Sequence, residues 1–422
     1  METNTENVLE SPARRTDSVS GLASTRNRLI LLIVMAVAVP VSWSIYGWWF
    51  ERRSGQFKLG CDEASAAEDW ERLLLISGEW RKWNPTSGDA LVFQADAYFQ
   101  TGRLREAADQ LAQVDDTYSG AVPALLYCAE ILFGDLNEPF EAERIWKRTL
   151  QIKPDSTHTH QRLMYLYAIT LQRSKLIDQI RVAFQQQCEP PEAYSYYLLA
   201  NSLEFTDGFL VMTKWRANEP ESETLEVAEA IYAGRSRDLR DPDDSANEVE
   251  YFMAPGDQRR INTCLEKYPS NIEVLSYHIE RSMFGEDATR VTELLGAAPE
   301  AALQDARFWR YRGWVLKQLG KYKEAAAALE KSIELDQFSW KARWDLAAVQ
   351  RLAGDLKAAE ATSELAIRGK RLEEALFLTD GRNVSWDIIF QMHEYIELLD
   401  APDVLNSLER RIRQQGGNRV AN

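Results

Sequence analysis

Between Ala306 and Arg368 apolar and polar positions alternate with a helical period, and the same arrangement is written twice. In the first copy Trp309 and Gly313 lead to the turn Leu319-Gly320-Lys321-Tyr322, followed by Ala325, Leu329 and Ile333. In the second, Ala347 leads to Ala353-Gly354-Asp355-Leu356, then Ala359, Ser363 and Ile367. Gly320 and Gly354, Ala325 and Ala359, and Ile333 and Ile367 are each 34 residues apart, a period that marks paired-helix repeats. Each copy predicts two antiparallel helices joined at the glycine. Gly313, Ala325, Ala347 and Ala359 are small where two helix axes must approach closely.

The pattern extends upstream in weaker form. Trp70, Leu73, Leu74, Ser77 and Trp80 predict one helix over Ala64 to Trp83, the second of a first unit, stopped by Asn84-Pro85. Leu91 to Phe99 and Ala107 to Val114 form a pair around Gly102, Ala124 to Phe133 pairs with Phe140 to Ile152, and His160 to Gln172 pairs with Leu176 to Gln187 without a turn glycine. Ala193 to Phe205 opens another unit. These blocks make residues 51–205 an N-terminal set of repeats. Register fades over 206–256, a diverged repeat in which Thr224 to Ala233 predicts a helix and Asp238 to Glu250 an acidic loop centred on Asp241-Pro242-Asp243-Asp244. A C-terminal block, 257–422, resumes with Gln258 to Tyr268, Ile272 to Phe284 and Ala288 to Leu295. It closes on a capping pair, Ser385 to Leu399 and Val404 to Gln414, whose last helix starts at Pro402 or Asp403.

The front of the chain reads differently. Residues 1–28 are polar, without apolar periodicity, and predict a disordered tail. Residues 29–50 follow without one charge, long enough to cross a bilayer core of about 30 Å, and predict a single transmembrane helix, with Pro40 the place for a kink. Trp43, Tyr46, Trp48, Trp49 and Phe50 form an aromatic belt at one end, next to Arg52 and Arg53. The alternative is a cleaved secretory signal with its core at Leu29 to Val39, but the apolar run continues through Trp49, where a signal would turn polar. A short tail before a first hydrophobic segment places the large C-terminal part on the extracytoplasmic side.

Charge and cysteines narrow the picture. The net charge is −16, and residues 1–50 contribute none of it, because four acids balance four arginines. An acidic body of this kind excludes non-specific nucleic-acid binding. Cys61, Cys128, Cys188 and Cys264 are too far apart in sequence for a metal motif; an even count allows two disulfides in an oxidising compartment, but the repeat pattern favours buried, unpaired helix residues.

The duplicated segment resembles the tetratricopeptide repeat family. The family's Trp-x-x-Leu-Gly-x-x-Tyr run appears as Trp309-x-x-Arg312-Gly313-x-x-Leu316 and its Ala-x-x-x-Phe run as Ala325-x-x-x-Leu329, while Gln337 stands where a closing proline is usual. The resemblance implies an all-α fold, a right-handed α-solenoid of helix-turn-helix repeats whose first helices line a concave surface. On that surface it places Arg307, Arg310, Trp314 and Lys317 in one unit and Lys341, Trp344 and Arg351 in the next. Five cations around two indoles suit an acidic peptide segment. The alternative is a solvated face whose charges pair with Glu324, Glu330, Glu334 or Asp345 and whose tryptophans pack the stack. Family members that clamp a chaperone's terminal carboxylate use asparagines where this chain has Trp314 and Asp345, and an aspartate there would repel such a ligand.

No motif for catalysis stands out: no phosphate-binding glycine loop, serine elbow, paired zinc histidines or kinase signature. His158 and His160, two apart on a helix, point to different sides and lack a third ligand. Asn383-Val384-Ser385 fits an N-glycosylation acceptor. No enzyme, cofactor or metal is expected. The reading is a membrane-anchored scaffold or adaptor that binds a protein or acidic peptide. Its rivals are a structural subunit of an envelope secretion or assembly complex and, motivated by 13 tryptophans, a carbohydrate-binding or enzymatic protein.

Overall fold

The computed structural model describes the backbone of residues 20–203, 205–235, 258–377 and 384–420, and side chains from 41 to 414 within those ranges. The acidic loop expected at 238–250, Asn383 and the first 19 residues of the expected tail lie outside the described residues. Among the described residues there are 20 α-helices and no strand. The chain divides into two compact units, Met1–Thr101 and Gly102–Asn422.

The first unit holds α1 (Ser20–Ala66), α2 (Trp70–Trp83) and α3 (Gly88–Gln100). Two expectations are corrected here. The helix expected across Ala64 to Trp83 is broken: α1 ends at Ala66, Glu68 adopts φ 55°, and Asp69 caps α2 by accepting the Arg72 N–H at 3.0 Å. Nor does a boundary fall at residue 50, because α1 is a single helix of 47 residues, about 70 Å long, that includes residues 20–28 of the expected tail. Its C-terminal half is the first helix of the first repeat. Cys61 and Ala64 pack with Leu73 and Trp80, Phe57 stacks on Trp80 at 5.9 Å, and Phe50 meets Trp83 at 4.5 Å. Among the described residues no helix is long and apolar enough to cross a membrane; the side chains of residues 29–40, over half of the expected span, lie outside them.

The second unit begins with α4 (Leu104–Ala112), α5 (Ala121–Glu130, prolonged by a π-helical turn over Ile131–Asp135), α6 (Pro139–Ile152), α7 (Thr157–Ile169) and α8 (Arg173–Gln185). A short α9 (Ala193–Leu199) follows, then α10 (Gly208–Asn218), α11 (Glu223–Arg235), α12 (Gln258–Lys267), α13 (Ile272–Phe284) and α14 (Ala288–Gly296). The two clear copies are α15 (Ala306–Gln318) with α16 (Tyr322–Leu335) and α17 (Trp340–Leu352) with α18 (Leu356–Phe377); α19 (Trp386–Leu398) and α20 (Pro402–Val420) end the chain.

One turn closes most of these pairs. After α15, Gly320 adopts φ 71° and the Lys321 N–H donates to the Leu316 carbonyl at 2.9 Å, the hydrogen bond that ends a helix in a left-handed residue. Gly354 repeats it after α17. The turns without glycine use the same geometry: Leu171 (φ 58°) follows α7 and Glu286 (φ 56°) follows α13, with matching bonds from Gln172 to Tyr167 and from Asp287 to Ser282. Inside the pairs the small residues sit where expected. A Cβ on Gly313 would come within 2.6 Å of Leu329 Cγ, and Ala325, Ala347 and Ala359 are buried.

Two features depart from a regular stack. The second unit folds back on itself: Arg410 of α20 reaches both carboxylate oxygens of Glu189 at 2.6 and 2.7 Å, and Arg411 lies over the Tyr194 ring. The expected capping helix is therefore a clasp, with Val404, Ser407 and Leu408 buried. In addition, α18 runs 22 residues where α16 runs 14. As a result α19 starts at Trp386, although a third copy in register would start near residue 374, 34 beyond Trp340. All four cysteines are buried and free. Burial pushes the Cys128 thiol up to about 12.

Candidate functional site

The seven residues expected to form a concave binding surface do not form one open groove. Arg307, 7 % exposed, lies in a buried ionic cluster. Its guanidinium donates to both oxygens of Glu273 on α13 at 2.8 and 2.6 Å and to Asp305 at 2.6 Å. Asp305 also caps α15 by accepting the Arg307 N–H. Arg173, at the start of α8, donates to the same Glu273 at 3.1 Å. Burial alone would raise the Glu273 pKa, but the two guanidiniums outweigh it and hold the carboxyl at about 2.

Arg310 is taken up in the same way, donating to Asp345 at 2.7 Å. The aspartate that would repel a ligand carboxylate is thus already neutralised by a residue of the same surface. Trp314, also 7 % exposed, is core, packed with Leu275, Phe308 and Tyr311. Lys341 lies 5.8 Å over the Trp340 ring. The neighbouring Glu280, partly exposed, accepts the Tyr311 hydroxyl at 3.0 Å. Desolvation pushes the Glu280 pKa up, yet Arg235, Lys341, Arg310 and Arg307 together bring it below its ordinary value. Lys317 is partly exposed, Arg351 donates to Ser363, and Trp344 stands 50 % exposed.

The rest of the expected groove is filled from within. α9 and the turn after it lie against the inner side of the two clear copies. Tyr197 meets Phe338 edge to face at 5.4 Å, Asn201 donates to Asp336 at 2.7 Å, and Ser202 donates to Glu373 at 3.1 Å. Between Leu198, Asn201 and Ser202 on one side and Arg307, Arg310 and Lys341 on the other there remains about 30 Å³, space for one water. The structure thus brings Arg307, Arg310 and Lys341 together, but around the chain's own segment. Sequence periodicity missed this because α9 is only seven residues long and enters from more than 100 positions upstream.

His158 and His160 serve packing. His160 donates from Nε2 to the Pro154 carbonyl at 2.8 Å, its Nδ1 accepts from Gln179 at 2.6 Å, and burial lowers its pKa, so the ring is held neutral. His158 faces Glu130 at 3.3 Å. Among the described residues no group of three or more His, Cys, Asp or Glu is arranged to hold a metal ion.

These features define an all-α helical-repeat protein. Within it, residues 306–338 match the tetratricopeptide repeat family. No curated protein sequence matches the chain. Among solved structures, the Cut9–Hcn1 hetero-tetramer of the APC/C is 14% identical over 87% of this chain and 76% of that one, with a TM-score of 0.31. A tetratricopeptide repeat protein from Parabacteroides merdae is 13% identical over 65% of this chain and 98% of its own, with a TM-score of 0.28. A human IFIT1 dimer with PPP-AAAA is 14% identical over 84% and 80%, with a TM-score of 0.29.

Proposed function

We propose that this chain is a membrane-tethered scaffold that recruits a protein partner through the exposed side of its repeats, on the extracytoplasmic face. The observation that carries the reading is the continuity of α1. Trp43, Tyr46, Trp48 and Trp49 are exposed on the described part of that helix, with Arg52 lying over the Trp48 ring, and the same helix becomes the first helix of the first repeat within two turns. Such aromatics suit the boundary between lipid and water. Whatever holds them is coupled to Trp80 and Trp83 through Phe57 and Phe50, without a flexible joint.

With Arg307, Arg310 and Lys341 committed internally, recruitment falls to the outer positions of α17, where exposed Trp344 and Arg351 remain for an acidic partner segment. Photocrosslinking from position 344 in native membranes tests this. The expected result is one stoichiometric protein adduct in the carbonate-resistant membrane fraction. A chain that leaves the membrane in carbonate, or one that yields no adduct above background, overturns the reading.

A further inference from the structure

Beside α18 lies an open cleft of about 800 Å³, lined by Arg351, Leu356, Glu360, Ser363, Ile367 and Arg371 among others. Four of these positions have counterparts one repeat earlier. Leu356, Glu360, Ser363 and Ile367 stand 34 residues after Tyr322, Ala326, Leu329 and Ile333 of α16. In the first copy those four side chains pack with Leu346 and Val349 of α17, the next repeat's first helix. In the second copy no helix among the described residues takes that place, and Gln391, Glu394 and Tyr395 of α19 line the cleft from one side. α18 continues two turns further, and α19 packs at its far end, where a Cβ on Gly369 would collide with Tyr395. The cleft is the vacated seat of a repeat helix.

Its lining says what would fill it. Leu356 and Ile367, 69 % and 40 % exposed, are the apolar contacts of the seat. Arg351 at one end donates to the Ser363 hydroxyl and, like Arg371, has no ion-pair partner among the described residues, whereas Arg368 is already paired with Glu364 and Glu394. The rim therefore offers two cations that no ion pair among the described residues takes up, although the carboxylate of Glu360 also lines the cleft.

We propose that this seat binds an amphipathic helix of another protein, apolar toward Leu356 and Ile367 and acidic at its ends toward Arg351 and Arg371. The proposal rests on the reading of the repeats as a recruiting surface and names where and in what form the partner's acidic segment engages. The mode is a helix laid in a groove and read by anchors one face apart. It completes the solenoid by one helix, in the way α17 completes the repeat before it.

The test uses the purified protein and two labelled peptides carrying the Trp340–Leu352 sequence, the segment that fills the equivalent seat. One peptide is extended by two glutamates at each end, the other by two lysines. Fluorescence anisotropy is expected to show saturable binding of the glutamate peptide and weaker binding of the lysine peptide. Leu356→Asp with Ile367→Asp should weaken the glutamate peptide by at least about tenfold, with helical circular dichroism and melting temperature unchanged because both side chains are exposed. Arg351→Glu with Arg371→Glu should invert the preference between the peptides. Absence of saturation up to about 1 mM, or binding that neither double variant alters, overturns the seat. Concentration-dependent dimerisation abolished by Ile367→Asp would assign it to a second copy and overturn the foreign partner. An adduct at position 344 that persists in the Leu356 and Ile367 variant would leave the scaffold reading standing while removing this seat from it.

Discussion

Glu273 and Arg307 stand 34 positions apart, one repeat, and meet in a buried ion pair at 2.6 Å. The relationship recurs. Arg310 and Asp345, Arg162 and Glu130, and Arg148 and Asp116 pair across 35, 32 and 32 residues. Each ties one unit to the next, so the charges of the helix faces are used to fix neighbour to neighbour before any remains for a ligand.

Glu273→Gln would leave Arg307 and Arg173 buried with one carboxylate, Asp305, between them. An uncompensated buried charge of this kind costs about 3 kcal/mol, seen as a lower urea midpoint. The pH dependence follows from the depressed pKa. Because the folded value is about 2 against 4.5 for the free side chain, the stabilisation is fully present above pH 4.5 and is lost as pH falls toward 2. The difference is worth about 3 kcal/mol. Acid denaturation curves of the wild type should steepen across that window, and those of Glu273→Gln should not.

Two tryptophans that look equivalent in sequence should behave oppositely. Trp314→Ala removes a core side chain and should cost about 3–5 kcal/mol. Trp344→Ala should leave the thermal midpoint within experimental error and lower partner capture, since its indole is half in solvent. Differential scanning calorimetry together with a capture assay separates the two.

Gly313→Ala forces a methyl group against Leu329 Cγ, with the Ala325 carbonyl also close, and should destabilise by about 1–3 kcal/mol. Gly296→Ala, at the end of α14 with nothing within 4 Å of the added Cβ, should be neutral or stabilise by about 0.5 kcal/mol. Urea titrations of the pair check the sign.

The turn residues give a matched test. Gly320→Ala places a Cβ in the left-handed region and should cost about 1 kcal/mol. Glu286→Gly relieves the same strain at an exposed turn and should raise stability by up to about 1 kcal/mol. Equal midpoints for Glu286→Gly and wild type would mean that the turn after α13 relaxes without help.

Helix existence was readable wherever apolar spacing and a turn glycine agreed, as at α15 to α17. Elsewhere the limits have physical causes. The break between α1 and α2 carries no glycine or proline, because Glu68 takes the left-handed turn itself. α10 escaped notice because only Gly208, Met212 and Trp215 are buried, too sparse a stripe for periodicity, and Gly208 is there because the Tyr232 ring lies against it. The extension of α18 past Ile367 has no stop signal to mark its absence. For the site, the positions on α15 and α17 carry a face and, among their candidate partners, Asp345, which pairs with Arg310, but not Glu273, which pairs with Arg307. A search for opposite charges one repeat apart would have found Glu273 for Arg307 and Asp345 for Arg310, and would have removed both from the list of free cations. The intrusion of α9 had no counterpart in any 34-residue comparison.

The contact between Arg410 and Glu189 changes how the second unit should come apart. An open-ended array of repeats loses its last member first and its inner members later, each exchange governed by its immediate neighbours. Here the last helix holds an early one, so detaching it with Arg410→Glu removes a restraint 221 positions away. Amide protons of residues 193–199 should then exchange faster while those of α15 and α16 stay protected. Deleting the final twenty residues should accordingly loosen the middle of the polypeptide, an outcome opposite to trimming the tip of a linear array.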